Sequence, residues 1–458
     1  MAAVLNSQPS KSLEPYVKKL AWMTVAIAGL AVLGCNLTGK YTVGGTLTGL
    51  RGQGLVLQDN SGNDLSFQSN GTFVFSDSVK NNDAYSVTVR TQPSNPTQTC
   101  TVHNGSGTID KADITNVIVS CTQAGRFAYV ANQLSNTVSE FSIDSATGLL
   151  TPVAGSPFAA LGTSPAALTV DPNGDFLFVV NNGSNTVSVF SIDDSSGALT
   201  SVGLPFTTDS GPDSVTVDPT DRFLYVANLA SNSVSAYAIN SSTGQLTQLS
   251  GSPLAVGLEP TSLKIDPNGN FLYVTEFGDA NVAVLSIDSD TGALSSISGS
   301  PFAAGAGAIS IAIDPAGTFA YVANETAANI SEYSINAATG ALTAVSGSPL
   351  STTTSPESVA VDPAGRFVYA ANVTAKNEVA TYSITPSGGA LTASGSPIAA
   401  GLFPIGIVLD PSGSYAYVAN ENSNDISVFA VNATTGALSA VSHSPFTAGS
   451  EPRAIAID

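Results

Sequence analysis

The sequence predicts an all-β protein, and its composition, its short alternating segments and a long internal repeat all favour this class. Only 10% of the 458 residues are charged, while glycine (42) and proline (25) are plentiful. Such a composition is typical of many short strands joined by tight turns. The formal net charge is -20. Because binding to nucleic acid needs clustered Lys and Arg, we expect no nucleic-acid partner.

The first 34 residues differ from the rest of the chain. Lys18 and Lys19 precede an uncharged run from Leu20 to Gly34, which has the length of a signal-peptide core and is short for a membrane span. The run ends in "VLGC", which looks like the lipobox of a bacterial lipoprotein. We therefore predict a lipoprotein signal peptide at 1–34, an anchor or linker at 35–40, and lipidation of Cys35. An ordinary signal peptide, or a short membrane anchor with a chance cysteine, is the alternative.

This leader sets the expected location. We expect a monomer held by its lipid at the bacterial cell envelope, outside the cytoplasm, on the outer membrane or cell surface. An exported protein meets an oxidising compartment, so Cys100 and Cys121 are predicted to form a disulfide. Two buried free thiols are the alternative.

Residues 41–122 are predicted to form a small β domain. Segments such as "GTFVFS" and "AYSVTVRT" alternate apolar and polar residues between Gly, Asn and Ser turns, as half-buried strands do. The domain resembles the Ig-like or prealbumin-like modules found beside the lipid anchor of bacterial surface proteins.

From residue 125 onward the chain repeats. "RFAYVAN" and six segments like it begin at residues 126, 175, 222, 270, 318, 366 and 414. Each unit contains four strand candidates, and the first two are joined by an Asp-Pro turn in most copies. Seven units of four antiparallel strands predict a seven-bladed β-propeller over residues 125–458. The repeat starts on a second strand, so we expect "RAIAID" near residue 458 to supply the missing inner strand of the first blade.

The "YVAN" strand, followed by "SNTVSVFSID", "TGALT" and "GSPF", resembles the YVTN-repeat or lactonase-like propellers, which include bacterial 6-phosphogluconolactonase. The resemblance covers residues 125–458. It implies hydrolysis of a lactone, with a Pro-Arg-His at the start of one inner strand and a Glu after the "YV-x-N" strand. Here Pro452 and Arg453 match, but Ala454 stands where the His would be. Glu325 and Glu421 match the Glu position.

Residues that differ between blades are the better site candidates, since those that recur in every blade serve the scaffold. Counting back five residues from each turn Asp defines a set that we call the mouth ring, because these positions begin the inner strands at one mouth of the channel. Its members are Ala166, Asp213, Thr261, Ile309, Glu357, Ile405 and Arg453. Glu276, Glu325 and Glu421 lie in loops expected on the same face. Asp213, Thr261, Glu276, Glu357 and Arg453 are the predicted ligand-binding rim.

These residues leave open whether the protein is an enzyme. Arg453 with Glu421 or Glu325 is the candidate catalytic set, with Glu activating water and Arg stabilising an oxyanion. The missing His argues against hydrolysis, so we expect a binding or scaffold module whose ligand is a glycan, a peptide or a protein. A sugar-lactone hydrolase is the alternative. We expect no cofactor, and no metal ligand set is evident in the sequence.

Overall fold

The computed structural model describes residues 39–458, except 51, 61, 95–97, 123–125, 353 and 374–375. The predicted signal peptide and Cys35 lie outside the described residues. Contacts divide the chain into residues 1–40 and a compact unit, Tyr41–Asp458. Within the described part, no helix has the length and apolar character needed to cross a membrane.

The small domain consists of two four-stranded sheets, packed as a sandwich, and a two-stranded sheet formed by its first and sixth strands. Its strands are β1 (Lys40–Tyr41), β2 (Val43–Thr48), β3 (Val56–Asp59), β4 (Asn63–Ser66), β5 (Gly71–Val74), β6 (Val79–Lys80), β7 (Ala84–Thr91), β8 (Thr99–His103), β9 (Ser106–Thr108) and β10 (Ile114–Thr122). One four-stranded sheet has the order β5-β2-β10-β8 and the other β4-β3-β7-β9. Their alternate apolar residues, such as Leu47, Leu57 and Val119, form one buried core. The predicted disulfide joins Cys100 to Cys121, which pair directly across β8 and β10.

The remaining strands build the propeller. The inner strands are β15 (Pro165–Val170), β20 (Pro212–Val217), β25 (Pro260–Ile265), β30 (Ala308–Ile313), β35 (Pro356–Val361), β40 (Pro404–Leu409) and β45 (Pro452–Ile457). The second strands are β11 (Phe127–Asn132), β16 (Phe176–Asn181), β21 (Phe223–Asn228), β26 (Phe271–Glu276), β31 (Phe319–Asn324), β36 (Phe367–Asn372) and β41 (Tyr415–Asn420). The third strands are β12 (Thr137–Ile143), β17 (Thr186–Ile192), β22 (Ser233–Ile239), β27 (Asn281–Ile287), β32 (Asn329–Ile335), β37 (Glu378–Ile384) and β42 (Asp425–Val431).

The outer strand of every blade is split into two short pieces, where the sequence predicts one strand. The first pieces are β13 (Leu150–Pro152), β18 (Leu199–Ser201), β23 (Leu246–Gln248), β28 (Leu294–Ser296), β33 (Leu342–Ala344), β38 (Leu391–Ala393) and β43 (Leu438–Ala440). The second pieces are β14 (Phe158–Ala159), β19 (Phe206–Thr207), β24 (Leu254–Ala255), β29 (Phe302–Ala303), β34 (Leu350–Ser351), β39 (Ile398–Ala399) and β44 (Phe446–Thr447). Both pieces pair with the third strand. The "GSP" segment lies between them, and there the hydroxyl of Ser252 accepts the backbone N–H of Ala236 (2.8 Å).

Recurring polar residues hold the blades together. In blade four, Asp266 Oδ1 accepts the backbone N–H groups of Asn270 (2.7 Å) and Phe271 (2.6 Å), which fixes the turn between β25 and β26. The hydroxyl of Tyr273 donates to the carbonyl oxygen of Gly340 in blade five (3.0 Å). Because these residues recur along the chain, they account for the regular stacking of the blades and act as scaffold.

The ring closes as the sequence predicts. β45 pairs antiparallel with β11 and completes blade one as its inner strand. Arg126, just before β11, forms an ion pair with Asp458, just after β45 (2.8 Å). Closure pairs two strand edges that an open ring would expose.

The small domain lies across one end of the propeller, an arrangement that the sequence does not predict. Asn70 Nδ2 donates to Asn173 Oδ1 in the turn of blade two (3.1 Å). Asn104 Nδ2 donates to the carbonyl oxygen of Ala316 in the turn of blade five (3.3 Å). Blades two and five lie on opposite sides of the ring, so the domain spans the channel axis. We call this end, which carries the Asp-Pro turns, the turn end, and the opposite end the mouth.

Candidate functional site

Each inner strand begins with a β-bulge at the mouth. In blade three, Pro212 pairs with Asn228 and Ser214 with Ala227, so the residue between them, Asp213, has no partner in the ladder. The same register shift occurs in the other six blades. A bulge redirects the side chain of its extra residue. The seven bulged residues are the mouth ring, and all of them line one cavity of about 220 Å³.

Arg453 lies between two carboxyl groups in the mouth ring. In blade order its immediate neighbours are Ala166 and Ile405, and the next residues outward are Asp213 and Glu357. The flanking side chains are uncharged, and Arg453 interacts with the charges of both carboxyl groups. Its Nη1 also donates to Gln133 Oε1 (3.2 Å), which helps to fix the guanidinium at the wall.

The cavity changes the acidity of its carboxyl groups. Burial, followed by repulsion from Glu325, raises the pKa of Glu357 to about 7, with Arg453 opposing the shift and Glu421 and Asp213 adding to it. Burial also raises the pKa of Asp213, again against the attraction of Arg453. A carboxyl group whose pKa is near neutrality can accept a proton from water at neutral pH.

Glu325 and Glu421 lie in the second ring of loops, next to the cavity. The backbone N–H of Glu325 donates to Gly307 O (2.8 Å), and that of Glu421 donates to Phe403 O (2.9 Å). Neither is among the residues lining the cavity. Burial raises the pKa of Glu421, while Arg453 lowers it. Both glutamates therefore act on the cavity through their charge, whereas Glu357 is the glutamate that lines it together with Arg453.

Thr261 and Glu276, both predicted for the rim, have different surroundings. Thr261 Oγ1 lines the cavity, 3.0 Å from Thr275 Oγ1 and 3.2 Å from Ala308 O. Glu276 does not reach the cavity, because it ends β26 and is 1% exposed. Its Oε1 accepts the N–H of Gly257 (2.6 Å), as Asn324 Oδ1 accepts that of Gly305 (3.1 Å) in the next blade. The prediction that Glu276 lies on the rim is therefore wrong, because this residue takes the place of the structural Asn of the repeat.

Lys264 is a channel residue that the sequence analysis missed. It lies three residues beyond Thr261 on β25, and its side chain is exposed although inner strands flank it on both sides. The solvent-accessible side of an inner strand faces the channel, so the amine lies there, and the surrounding channel walls reduce its hydration and lower its pKa. The signal was available in the repeat, since the matching residues of the other inner strands are uncharged: Thr169, Thr216, Ala312, Ala360, Val408 and Ala456.

Neither histidine contributes to the cavity. His443 lies in the turn between β43 and β44 on the outside of blade seven. His103 lies on β8 of the small domain, where burial lowers its pKa and the charge of Asp314 opposes the shift. Among the described residues, no group of three or more His, Cys, Asp or Glu side chains is arranged to hold a metal ion.

The fold and this mouth define a class of protein, a closed seven-bladed propeller with a polar cavity where its inner strands begin. The family described as "Lactonase, 7-bladed beta-propeller" matches residues 119–261 and 257–456, about three quarters of the chain. The protein therefore belongs to this family. Among curated proteins, no significant relative is found.

Solved structures share the fold at low sequence identity. A protein from Bacteroides uniformis, described as a candidate 6-phosphogluconolactonase, has a TM-score of 0.65 and 20% identity, over 73% of this chain and 100% of its own. The periplasmic gluconolactonase of Pseudomonas aeruginosa has a TM-score of 0.61 and 19% identity, over 72% of this chain and 98% of its own. At these identities the likeness establishes the fold alone.

Proposed function

We propose that the protein hydrolyses a lactone in the mouth cavity. The observation that carries the proposal is that Glu357, a carboxyl group with a pKa raised to about 7, and the guanidinium of Arg453 line the same small cavity. Membership of the lactonase propeller family supports the same reaction class. This choice differs from the binding module expected from the sequence, which rested on the missing His.

The residues supply the two functions that the reaction needs. Glu357, when ionised, removes a proton from water as the water oxygen attacks the lactone carbonyl carbon. The negative charge that develops on the carbonyl oxygen lies near Arg453, which stabilises it. The ring C–O bond then breaks, and the alkoxide takes up the proton held by Glu357, which gives the hydroxy acid and returns Glu357 to its ionised form. One water is consumed and no oxidant or cofactor enters the balance.

A comparison of three isosteric variants tests the assignment. Glu357→Gln should lower kcat/KM for a hydrolysable lactone at least about 100-fold, because a general base contributes roughly 10²–10⁴-fold. Glu325→Gln and Glu421→Gln, which remove the same charge outside the cavity, should each change it less than about tenfold. The proposal fails if Glu357→Gln retains wild-type activity. A larger loss in Glu421→Gln would move the base to that residue.

A binding module remains the second candidate function, favoured by the other members of the mouth ring. Ala166, Ile309 and Ile405 have no acid–base group, and Ala454 follows Arg453 where lactonase-like sites carry His. If the wild-type protein turns over no lactone above the spontaneous rate, yet titration with a glycan or peptide shows saturable binding that Arg453→Ala abolishes, the cavity serves recognition.

We also propose that the protein is anchored at the cell envelope through lipid on Cys35. The "VLGC" sequence supports this assignment. Cys35→Ser should move the protein from the membrane fraction to the soluble extracytoplasmic fraction when the full chain is expressed in a bacterium. Retention of the variant in membranes after a carbonate wash would contradict it.

A further inference from the structure

The charge of the mouth cavity bears on which lactone it can hold. The mouth ring carries two carboxyl groups, Asp213 and Glu357, against one guanidinium, Arg453. Glu325 and Glu421 act on Glu357 from the adjoining loops. With all of these groups ionised, four negative charges face one positive charge.

The pKa values of the carboxyl groups show how unfavourable a further negative charge is in this cavity. Repulsion from neighbouring carboxylates contributes to the raised pKa of Glu357, and burial raises the pKa of both Glu357 and Asp213. These conditions disfavour one further negative charge on a side chain, so they also disfavour a negative charge on a ligand. A phosphate group would bring close to two such charges at neutral pH.

Lys264 does not neutralise the mouth ring. It is three residues beyond the ring position on β25, which at roughly 3.3 Å per residue places it about 10 Å deeper in the channel. A phosphate on a ligand would pass the carboxylates of the mouth before it reached the amine. At the depth of the mouth ring, Arg453 is the cationic side chain among the residues that line the cavity.

Asp213 is the carboxyl group best placed to select by charge. It lines the cavity and interacts with Arg453, while the proposed proton transfer uses Glu357. The same position holds Thr in the next blade and Ala in the preceding one, so the bulge does not require Asp. Its charge is therefore free to serve recognition.

We infer that the mouth cavity selects an uncharged lactone and rejects a phosphorylated one, with Asp213 as the specificity-determining residue. The inference rests on the proposed function and narrows its substrate class. It separates this chain from any propeller of the same fold whose substrate is a sugar phosphate.

Binding of non-hydrolysable lactams tests the inference without turnover. Titration calorimetry would measure Kd for gluconolactam and for gluconolactam 6-phosphate at pH 8 and low salt. The wild-type protein should bind the uncharged lactam at least about tenfold more tightly, since each charge pair at contact distance contributes this much or more in a partly buried site. Added salt should narrow the difference.

Two substitutions remove the charge of Asp213. Asp213→Asn keeps the shape, and Asp213→Thr introduces the residue of the next blade. Each should reduce the preference for the uncharged lactam at least threefold. Asp209→Asn, which removes a charge four residues away and outside the cavity lining, should leave the preference unchanged. Melting curves check that each variant is folded.

The outcomes separate this inference from the proposed function. Equal or tighter binding of the phosphorylated lactam overturns the inference, as does an unchanged preference in both Asp213 variants or a failure of the uncharged lactam to bind. Selective binding of the uncharged lactam without turnover of any lactone upholds the charge selection and overturns the hydrolase proposal. Selective binding with turnover supports both.

Discussion

The two ends of the propeller are built from one repeat, but they differ in what they hold constant. At the turn end, six inner strands are followed by an Asp whose carboxylate shapes the turn, as Asp266 does with the N–H groups of Asn270 and Phe271. At the mouth, the bulge recurs in all seven blades while its side chain changes from Ala to Asp, Thr, Ile, Glu and Arg. The repeat therefore fixes the backbone at both ends, and only the mouth uses that backbone to present different chemistry.

Removing residues 451–458 deletes an inner strand that runs from the mouth to the turn end. This change should have the largest effect on thermal stability. Without β45, blade one loses its inner strand and the edge of β11 is exposed. We expect a fall in Tm of at least about 10 °C, or aggregation, measured by calorimetry. Arg453→Ala changes a mouth residue of the same strand and should shift Tm by less than about 2 °C. Closure through β45 is wrong if the truncated chain melts like the full one.

The pH dependence of lactone hydrolysis tests whether Glu357 acts as the general base in the mouth cavity. Glu357 must be ionised to accept a proton, and its pKa in the folded protein is raised to about 7. The rate should therefore fall about tenfold per pH unit below pH 7 and level off above it. Glu357→Gln should remove this acid limb from whatever activity remains. A profile that stays flat from pH 5 to 8 in the wild-type enzyme would exclude Glu357 as the base.

Two substitutions in blade four, one in the turn after β25 and one at the mouth end of β25, distinguish residues that stabilise the fold from residues of the candidate site. Asp266→Ala removes three hydrogen bonds to backbone N–H groups, and should lower the free energy of unfolding by about 2 kcal/mol. It should leave kcat unchanged in the folded protein. Thr261→Ser, at the mouth of the same blade, should alter stability by less than about 0.5 kcal/mol. Urea unfolding and lactone assays on both variants check the contrast, and an Asp266→Ala protein with altered kcat would contradict it.

Glu140 shows that a residue that differs between blades is not always part of the functional site. It differs from the Val residues at the same position in three other blades, yet it is fully buried and both its oxygens lack a hydrogen-bond partner. Glu140→Val should therefore raise the free energy of unfolding by about 1–2 kcal/mol. Glu332 has the same position in blade five, but its Oε1 accepts the N–H of Leu391 (3.0 Å). Because Glu332→Val would remove this bond, it should raise the free energy of unfolding less than Glu140→Val does, or lower it.

The gain from Glu140→Val should depend on pH. Burial raises the pKa of Glu140 from 4.5 to about 8, so the folded protein holds this proton more tightly than the unfolded chain. Stability is then lost as pH rises from about 4.5 through 8, and the substitution removes that loss. The gain should be larger at pH 8 than at pH 4 in urea titrations. A gain of the same size at both pH values would mean that the carboxyl group is not the cause.

The features that could be predicted from the sequence are mainly those that follow from the spacing of the repeat. The seven blades, the closing strand β45 and the mouth ring follow from spacing, because equal positions in equal units occupy equal places in a closed ring. The disulfide is predicted from two cysteines together with the expectation that the chain is exported, and the structure confirms the pairing. Glu276 shows where this reasoning fails, since a Glu at the Asn position looks like a variable site residue until its bond to Gly257 is seen.

Other features depend on contacts that no repeat records. The choice of Glu357 over Glu325 and Glu421 depends on which carboxyl group reaches the cavity, a matter of side-chain direction at a bulge. The placement of the small domain depends on single bonds such as Asn70 to Asn173, which join segments that share no pattern. Lys264 was visible in the sequence as the charged member of an otherwise uncharged set, but the mouth ring includes only the bulged position of each inner strand.

The small domain across the turn end also affects how a molecule can enter and leave the channel. Its contacts with blades two and five place it in the path of any molecule that would leave the channel at the turn end. If the proposed hydrolysis takes place in the mouth cavity, substrate and product therefore share the mouth as their open route. The rate of product release through the mouth would then contribute to the measured turnover.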